Sequence, residues 1–230
     1  MEIRIDSLLT GARAARGVVI VIDVFRAFTT AAVAFSRGAT KIIICASPEQ
    51  ALTLRNSGAG DLCMGEVRGI KPKNFDFGNS PHELSRANIE GVTLIQSTQA
   101  GTVGINAAAN GSSDLYLGAL INAKATASAI SETSPDLVTI VAMGAQALVR
   151  TDEDEQCALY LRNLLQGRTS DQQSVRNLVL AGHEAQKYGD PSQSHFLVQD
   201  REMALDIDSI DFAIRVQRVG DLLVARPLSD

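Results

Sequence analysis

Tryptophan is absent from this 230-residue chain, and aromatic residues make up only 4% of it. A surface that stacks nucleic-acid bases needs aromatics interleaved with cations, so the composition argues against that class. Positive charge is short as well. Lys and Arg number 21 against 26 Asp and Glu, for a net charge of −5, and no basic cluster resembles a phosphate-backbone footprint. No apolar run approaches the length that spans a bilayer. The N-terminal MEIRIDSLL lacks the positive-then-apolar order of a secretory signal. The three cysteines, Cys45, Cys63 and Cys157, are odd in number and spaced unlike any zinc motif, which points to a reduced, cytoplasmic compartment. Neither a GxSxG elbow nor a GxxxxGK[ST] loop occurs, so a serine-triad hydrolase and a Walker-type nucleotide site are not encoded. The expected partner is a small molecule.

What the chain does hold is apolar content of 45% without low-complexity tracts, enough for one sizeable core. With no internal repeat and no linker, a single domain over residues 1–230 is expected. The segment VVIVIDVFRAFTTA, Val18 to Ala31, is the strongest signal. Its unbroken apolar start reads as a strand buried on both faces of an α/β sheet. Ala27, Phe28, Ala31, Ala32 and Phe35 then recur at helical spacing up to Gly38. Asp23 therefore stands where strand becomes helix, with Arg26, Thr29 and Thr30 in a turn whose free N–H groups favour an anion. An acid there is costly unless paired, metal-bound or chemically employed.

The alternation continues. Strands are expected at 41–45, 62–65, 92–96, 114–118 and 137–143, and helices after Ser47-Pro48 and at 103–109, 121–130, 153–165 and 172–186. Two strand-like runs, 212–216 and 222–225, break the pattern near the end. The expectation is a largely parallel sheet covered on both faces, with an antiparallel edge or a mixed sheet.

Four segments put polar groups at strand ends or helix starts. Asp23 and Arg26 form the first. The second is GEVRGIKPKNFDFGNSP, residues 65–81, where Glu66 follows a short strand and Arg68, Lys71 and Lys73 supply cations. Asn79 and Ser80 offer oxygen ligands or a helix cap before Pro81. In the third, QSTQAGTVG, a strand runs into Thr98, Gly101 and Thr102, whose amides and hydroxyls can cradle phosphate or merely cap a helix. In the fourth, TDEDEQCALYL, counting back from Cys157, Ala158 and Leu161 puts Asp154 on the buried stripe with Glu153 beside it. Decoration of a helix dipole is the competing account there. Carboxylates around an oxygen-liganded cation, with anion-binding helix starts, describe magnesium-assisted chemistry on a phosphate.

These motifs, in this order and spacing, resemble the 2-phosphosulfolactate phosphatases of the ComB family. The resemblance rests on VIDVFRAFTT, GEVRG with FDFGNSP, STQAGT, GALINAKA at 118–125 and EDEQCA at 153–158. It implies a three-layer α/β/α fold with a mixed, largely parallel sheet. It also implies a Mg²⁺-dependent phosphoric monoester hydrolase that converts 2-phospho-3-sulfolactate, or a related phosphorylated hydroxy acid, to the hydroxy acid and phosphate. The name of that activity ties it to coenzyme M biosynthesis.

Carried over by motif, Asp23, Arg26, Glu66 and Asp154 would be catalytic, and Asp23, Glu66, Glu153 and Asp154 would be metal ligands. Arg68, Asn79, Ser80, Thr98, Gly101 and Thr102 would bind substrate. Where many relatives read TTNGT this chain has Ala100 in place of the asparagine, and Phe25 stands where a leucine is usual. A haloacid-dehalogenase-like phosphatase would need a second aspartate at position 25, which is Phe25. From a different class, the chain could be a non-catalytic anion-binding or regulatory homologue that keeps the pocket without turnover. Homo-oligomerisation is common for compact metabolic enzymes and stays open.

Overall fold

The computed structural model describes residues 1–228. Nine strands are formed: β1 (Glu2–Ser7), β2 (Gly17–Ile22), β3 (Lys41–Cys45), β4 (Leu62–Gly65), β5 (Thr93–Ser97), β6 (Ser112–Gly118), β7 (Leu137–Ala142), β8 (Ile214–Val219) and β9 (Leu222–Pro227). The helices are α1 (Leu8–Ala14), α2 (Ala27–Ser36), α3 (Pro48–Asn56), α4 (Pro81–Ser85), α5 (Gly101–Ala108), α6 (Ala123–Thr133), α7 (Asp152–Leu165), α8 (Gln172–Ala181) and α9 (Val198–Ala204). All strands join one sheet in the order β1-β7-β2-β6-β8-β9-β3-β5-β4.

Helices cover both faces, and the period-two alternation of β2 shows why its apolar run is unbroken. Val19 and Val21 pack into one core with Phe28, Ala31 and Ile105. Val18, Ile20 and Ile22 pack into the other with Leu120, Ile130 and Leu161. A third cluster, including Ile43, Cys63 and Ile95, seats α3 through Ala51. Ser47 caps α3 by accepting from the Gln50 amide, with Pro48 in the first turn, as its sequence implies. The three cysteines are buried and unpaired.

Three features depart from the sequence expectation. The sheet is mixed, as one of the two expectations had it, but the antiparallel hairpin β8–β9 does not edge it and sits inside, pairing β6 on one side and β3 on the other. It thereby joins two parallel blocks, β1-β7-β2-β6 and β3-β5-β4. A two-residue turn makes this possible, with Gly220 at φ 59° in its first central position, a backbone that glycine adopts without steric cost. Second, the chain begins with a strand and helix, β1 and α1, that the apolar pattern does not announce; β1 alternates exposed and half-buried residues along EIRIDS and pairs β7 at the sheet edge. Third, the helix expected over 172–186 stops at Ala181, and a separate 3-10 turn follows at Glu184–Lys187. Gly182 there has an extended backbone, which ends the helical hydrogen bonding.

The two blocks meet at their carboxyl ends. Asp23, just past β2, accepts from the amide of Gly101, just past β5, at 2.8 Å. These strands are five places apart in the sheet order, so the sheet coils strongly between them.

Candidate active site

The junction of the blocks is a cleft of about 320 Å³, with Asp23, Arg26, Glu66, Arg68 and Asn79 on its walls. Each acid is placed by two backbone amides, one from its own turn and one from a segment distant in sequence. Asp23 accepts from Ala27 N at 3.0 Å and from Gly101 N at 2.8 Å, so one carboxylate ties α2 to α5. Glu66 accepts from Gln99 N at 2.8 Å and Gly69 N at 2.7 Å. Burial lifts the Asp23 carboxyl to about 6, and Glu66 opposite adds to the rise. The amides of Ala27 and Gly101, with Arg26, oppose it. Two carboxylates facing one cleft at this cost are what a cation would relieve.

The loop after Glu66 is a tight turn. Val67 and Ile70 exchange both backbone hydrogen bonds, and the central residues Arg68 and Gly69 have φ 53° and 79°. Positive φ at both central positions is the I′ hairpin turn. It lifts Arg68 to the tip, where the Gln99 side chain accepts from its amide at 2.7 Å. The Arg68 guanidinium is exposed and has no carboxylate partner among the described residues.

Arg26 is the opposite case. It is 3% exposed and pairs with Asp200, itself fully buried, at 2.7 Å. The carbonyls of His195 and Gly69 also accept from it, at 3.0 and 3.3 Å, and Phe196 lies under the guanidinium with its centroid 5.0 Å away. Arg26 is therefore a hub that fastens the Arg68 turn and the 195–200 segment to β2. Asp200 also accepts from Ser80 Oγ at 2.6 Å and His82 N at 3.0 Å.

The remaining sequence candidates divide. Asn79 lines the cleft, and its buried Oδ1 has no hydrogen-bond partner among the described residues. Ala100 lines it too, as does Phe25. Ser80 is spent as the cap of α4 and on Asp200. Thr98 and Thr102 bond each other, Thr98 N to Thr102 Oγ1 at 2.8 Å and Thr102 N to Thr98 Oγ1 at 3.2 Å. The Gly101 amide is taken by Asp23. The helix start expected to cradle an anion instead holds an acid in place.

Asp154 and Glu153 are both buried and lie outside the cleft lining. Asp154 accepts from Val24 N and Gly144 N, each at 2.8 Å, and so clamps the carboxyl ends of β2 and β7 together. Burial, with Glu153 and Asp23 near, pushes its carboxyl well above the usual range. Glu153 rises to about 8, chiefly by burial and then by the charges of Glu184 and Asp23.

Several cleft residues had no sequence signal. Gln146, His195 and Phe196 come from irregular segments and Glu184 and Lys187 from the 3-10 turn, while Asp200, behind the lining, comes from a short helix. Only Asp200 left a trace, an acid four residues before the fully buried Ala204 on one helix face. Among the described residues no group of three or more His, Cys, Asp or Glu side chains could by itself hold a metal ion. The pair Asp23 and Glu66 with the unpartnered Asn79 Oδ1 offers three hard oxygen donors, which fits an ion that keeps its waters and takes substrate oxygens. No helix among the described residues is long and apolar enough to cross a membrane.

Comparison with known proteins agrees with the motifs. The family model described as 2-phosphosulpholactate phosphatase matches residues 5–207. A protein of Thermus thermophilus named "Probable 2-phosphosulfolactate phosphatase" is 35% identical over 153 residues, 66% of this chain and 64% of that protein. One of the same name from Bacillus subtilis is 28% identical over 214 residues, 88% of each. A Deinococcus radiodurans protein, also of that name, is 34% identical over 136 residues, 59% of this chain and 57% of that one. The chain thus aligns with just under two thirds of the Thermus relative and most of the Bacillus one. With the family model covering nearly the whole of it, this chain belongs to the 2-phosphosulpholactate phosphatase family.

Proposed function

We propose that the protein is a phosphoric monoester hydrolase that releases phosphate from a small phosphorylated hydroxy acid, 2-phospho-3-sulfolactate or a close relative. The observation that carries this reading is the cleft itself, where Asp23 and Glu66 face Arg26 and Arg68. Acids that hold a cation and arginines that hold oxyanions are the two halves of a phosphoryl-transfer site. The names of the matched relatives point the same way.

Asp23 and Glu66, with Asn79, would hold a Mg²⁺ ion. When bound, that ion supplies neutralisation of the phosphoryl oxygens and a template for in-line displacement. Arg26 presents a fixed positive charge to the phosphoryl group, and its buried pairing with Asp200 keeps it from swinging away. Arg68, on its rigid turn, meets a second acidic group of the substrate. Asp23, held by two amides, is the side chain placed to act on phosphorus or on a water beside it. Asp154 acts at a distance: by gripping Val24 and Gly144 it sets the backbone from which Asp23 projects. Ser80, Thr98 and Thr102 serve the same supporting purpose. A reduced cytoplasmic setting suits three buried, unpaired thiols.

The test is phosphate release from a panel of phosphorylated hydroxy acids, with magnesium and with chelator, for the wild type and Asp23→Asn. Metal-dependent release that falls at least about a hundredfold in the variant is expected, the scale of losing a transition-state contact. A protein that binds these esters and returns them intact is the non-catalytic homologue instead.

A further inference from the structure

Behind the wall formed by Arg26, Gly69, Asn79 and His195 lies a second cavity, of about 450 Å³, which shares those four residues with the cleft. Cations outnumber acids on its lining. Lys71 and Arg86 line it, and neither lies within salt-bridge distance of a carboxylate among the described residues. The Lys71 ammonium reaches only the Asp76 carbonyl, at 3.3 Å. His82 and His195 add ring nitrogens; burial and the charge of Arg26 hold His195 below its usual range. Glu83 is the single acid on this lining, and its carboxylate accepts from the Gly78 amide at 2.8 Å. The cleft carries three acids, Asp23, Glu66 and Glu184, beside Arg26, Arg68 and Lys187, so its charges balance. In a chain of net charge −5, two unmatched permanent cations over one cavity make a local positive field.

We infer that this second cavity is an oxyanion site, built by Lys71 and Arg86, for a phosphate, sulfonate or carboxylate group. Its place against the cleft gives that anion two sources: inorganic phosphate free in solution, the product under the proposed hydrolysis, or the distal acid of a bound substrate. Lys71 and Arg86 supply the charge. The two histidines supply hydrogen bonds that orient the oxygens. The wall between the cavities contains the Arg26–Asp200 pair and Asn79, so an anion here changes the field felt by a phosphoryl group in the cleft.

The experiment is calorimetric titration of inorganic phosphate into wild type and a K71Q/R86Q variant, in chelator, so that the reading does not require catalysis. Both substituted side chains are exposed, and circular dichroism checks that the variant stays folded. Wild type is expected to bind phosphate, and the variant, which lacks both cations, about tenfold or more weakly, at least the loss of one of its two charge-assisted contacts. Equal affinity in the two proteins, or no binding to wild type, overturns the site. Kinetic arms then identify the source. If free phosphate is the occupant, product inhibition weakens in the variant while kcat on a simple phosphomonoester is kept. If the distal acid is the occupant, the ratio of kcat/KM for esters with and without that acid falls instead. A wild type that binds phosphate but hydrolyses no ester refutes the proposed reaction and leaves the oxyanion site standing.

Discussion

Replacing Asp200 by alanine tests the hub on which the cleft hangs. The substitution removes three accepted hydrogen bonds, from Arg26 at 2.7 Å, Ser80 Oγ at 2.6 Å and His82 N at 3.0 Å. It also strands a guanidinium that is 3% exposed. Breaking a buried pair by deleting one partner costs about 3–5 kcal/mol. Because the His195 and Gly69 carbonyls still accept from Arg26, the lower part of that range, about 3 kcal/mol, is expected. A chain of 230 residues unfolds with an entropy of roughly 0.5 kcal/mol/K, so the Tm should fall by about 6 °C. Asparagine should recover little of this. Its oxygen can serve Ser80 and His82, but its amide nitrogen then meets the Arg26 donor. Thermal melts by circular dichroism or calorimetry decide it; a fall under about 2 °C for D200A would refute the reasoning.

Other outcomes follow from the same geometry. Gly101→Ala would set a methyl 2.8 Å from Asp23 Oδ2 and 2.9 Å from Phe28 Cζ, so overpacking of about 1–3 kcal/mol and loss of turnover are expected by denaturant melts and phosphate assay. Asp154→Asn leaves the amides of Val24 and Gly144 to share one acceptor, which should cost about 2 kcal/mol and lower kcat more than it changes KM. Acidity gives a third check. The folded carboxyls of Asp23 and Glu153 lie near 6 and 8, above their unfolded values, so the fold binds protons more tightly. Metal-free protein should therefore lose stability as pH rises from about 4 to about 8, and magnesium should raise the Tm more at pH 8 than at pH 5. A magnesium effect as large at pH 5 would contradict it.

Much of the local structure can be read along the chain. The run before Asp23 is apolar at every position because both faces of β2 are covered, and Ser47-Pro48 announces α3 in its own chemistry. Glu66 and Asp23 stand out since each is an acid directly after a strand. Pairing partners are another matter. The strand-like runs near the end of the chain say that two strands form there, but the insertion of β8 and β9 between β6 and β3 depends on which edges were left open. Thr98, Gly101 and Thr102 look like an anion cradle because sequence shows the donors and not the acceptor that reaches them.

The amino-acid order by itself determined where the buried parallel strands lie, which acids follow them and which faces are apolar, for these depend on spacings of a few residues. Tertiary structure alone decided what each carboxylate touches. Asp23 meets an amide 78 positions away, Asp154 one 130 positions away, and Arg26 its aspartate 174 positions on. A charge buried in a low-dielectric interior must find a partner. Which partner arrives is settled by the coiling of the whole sheet, and no local spacing records it.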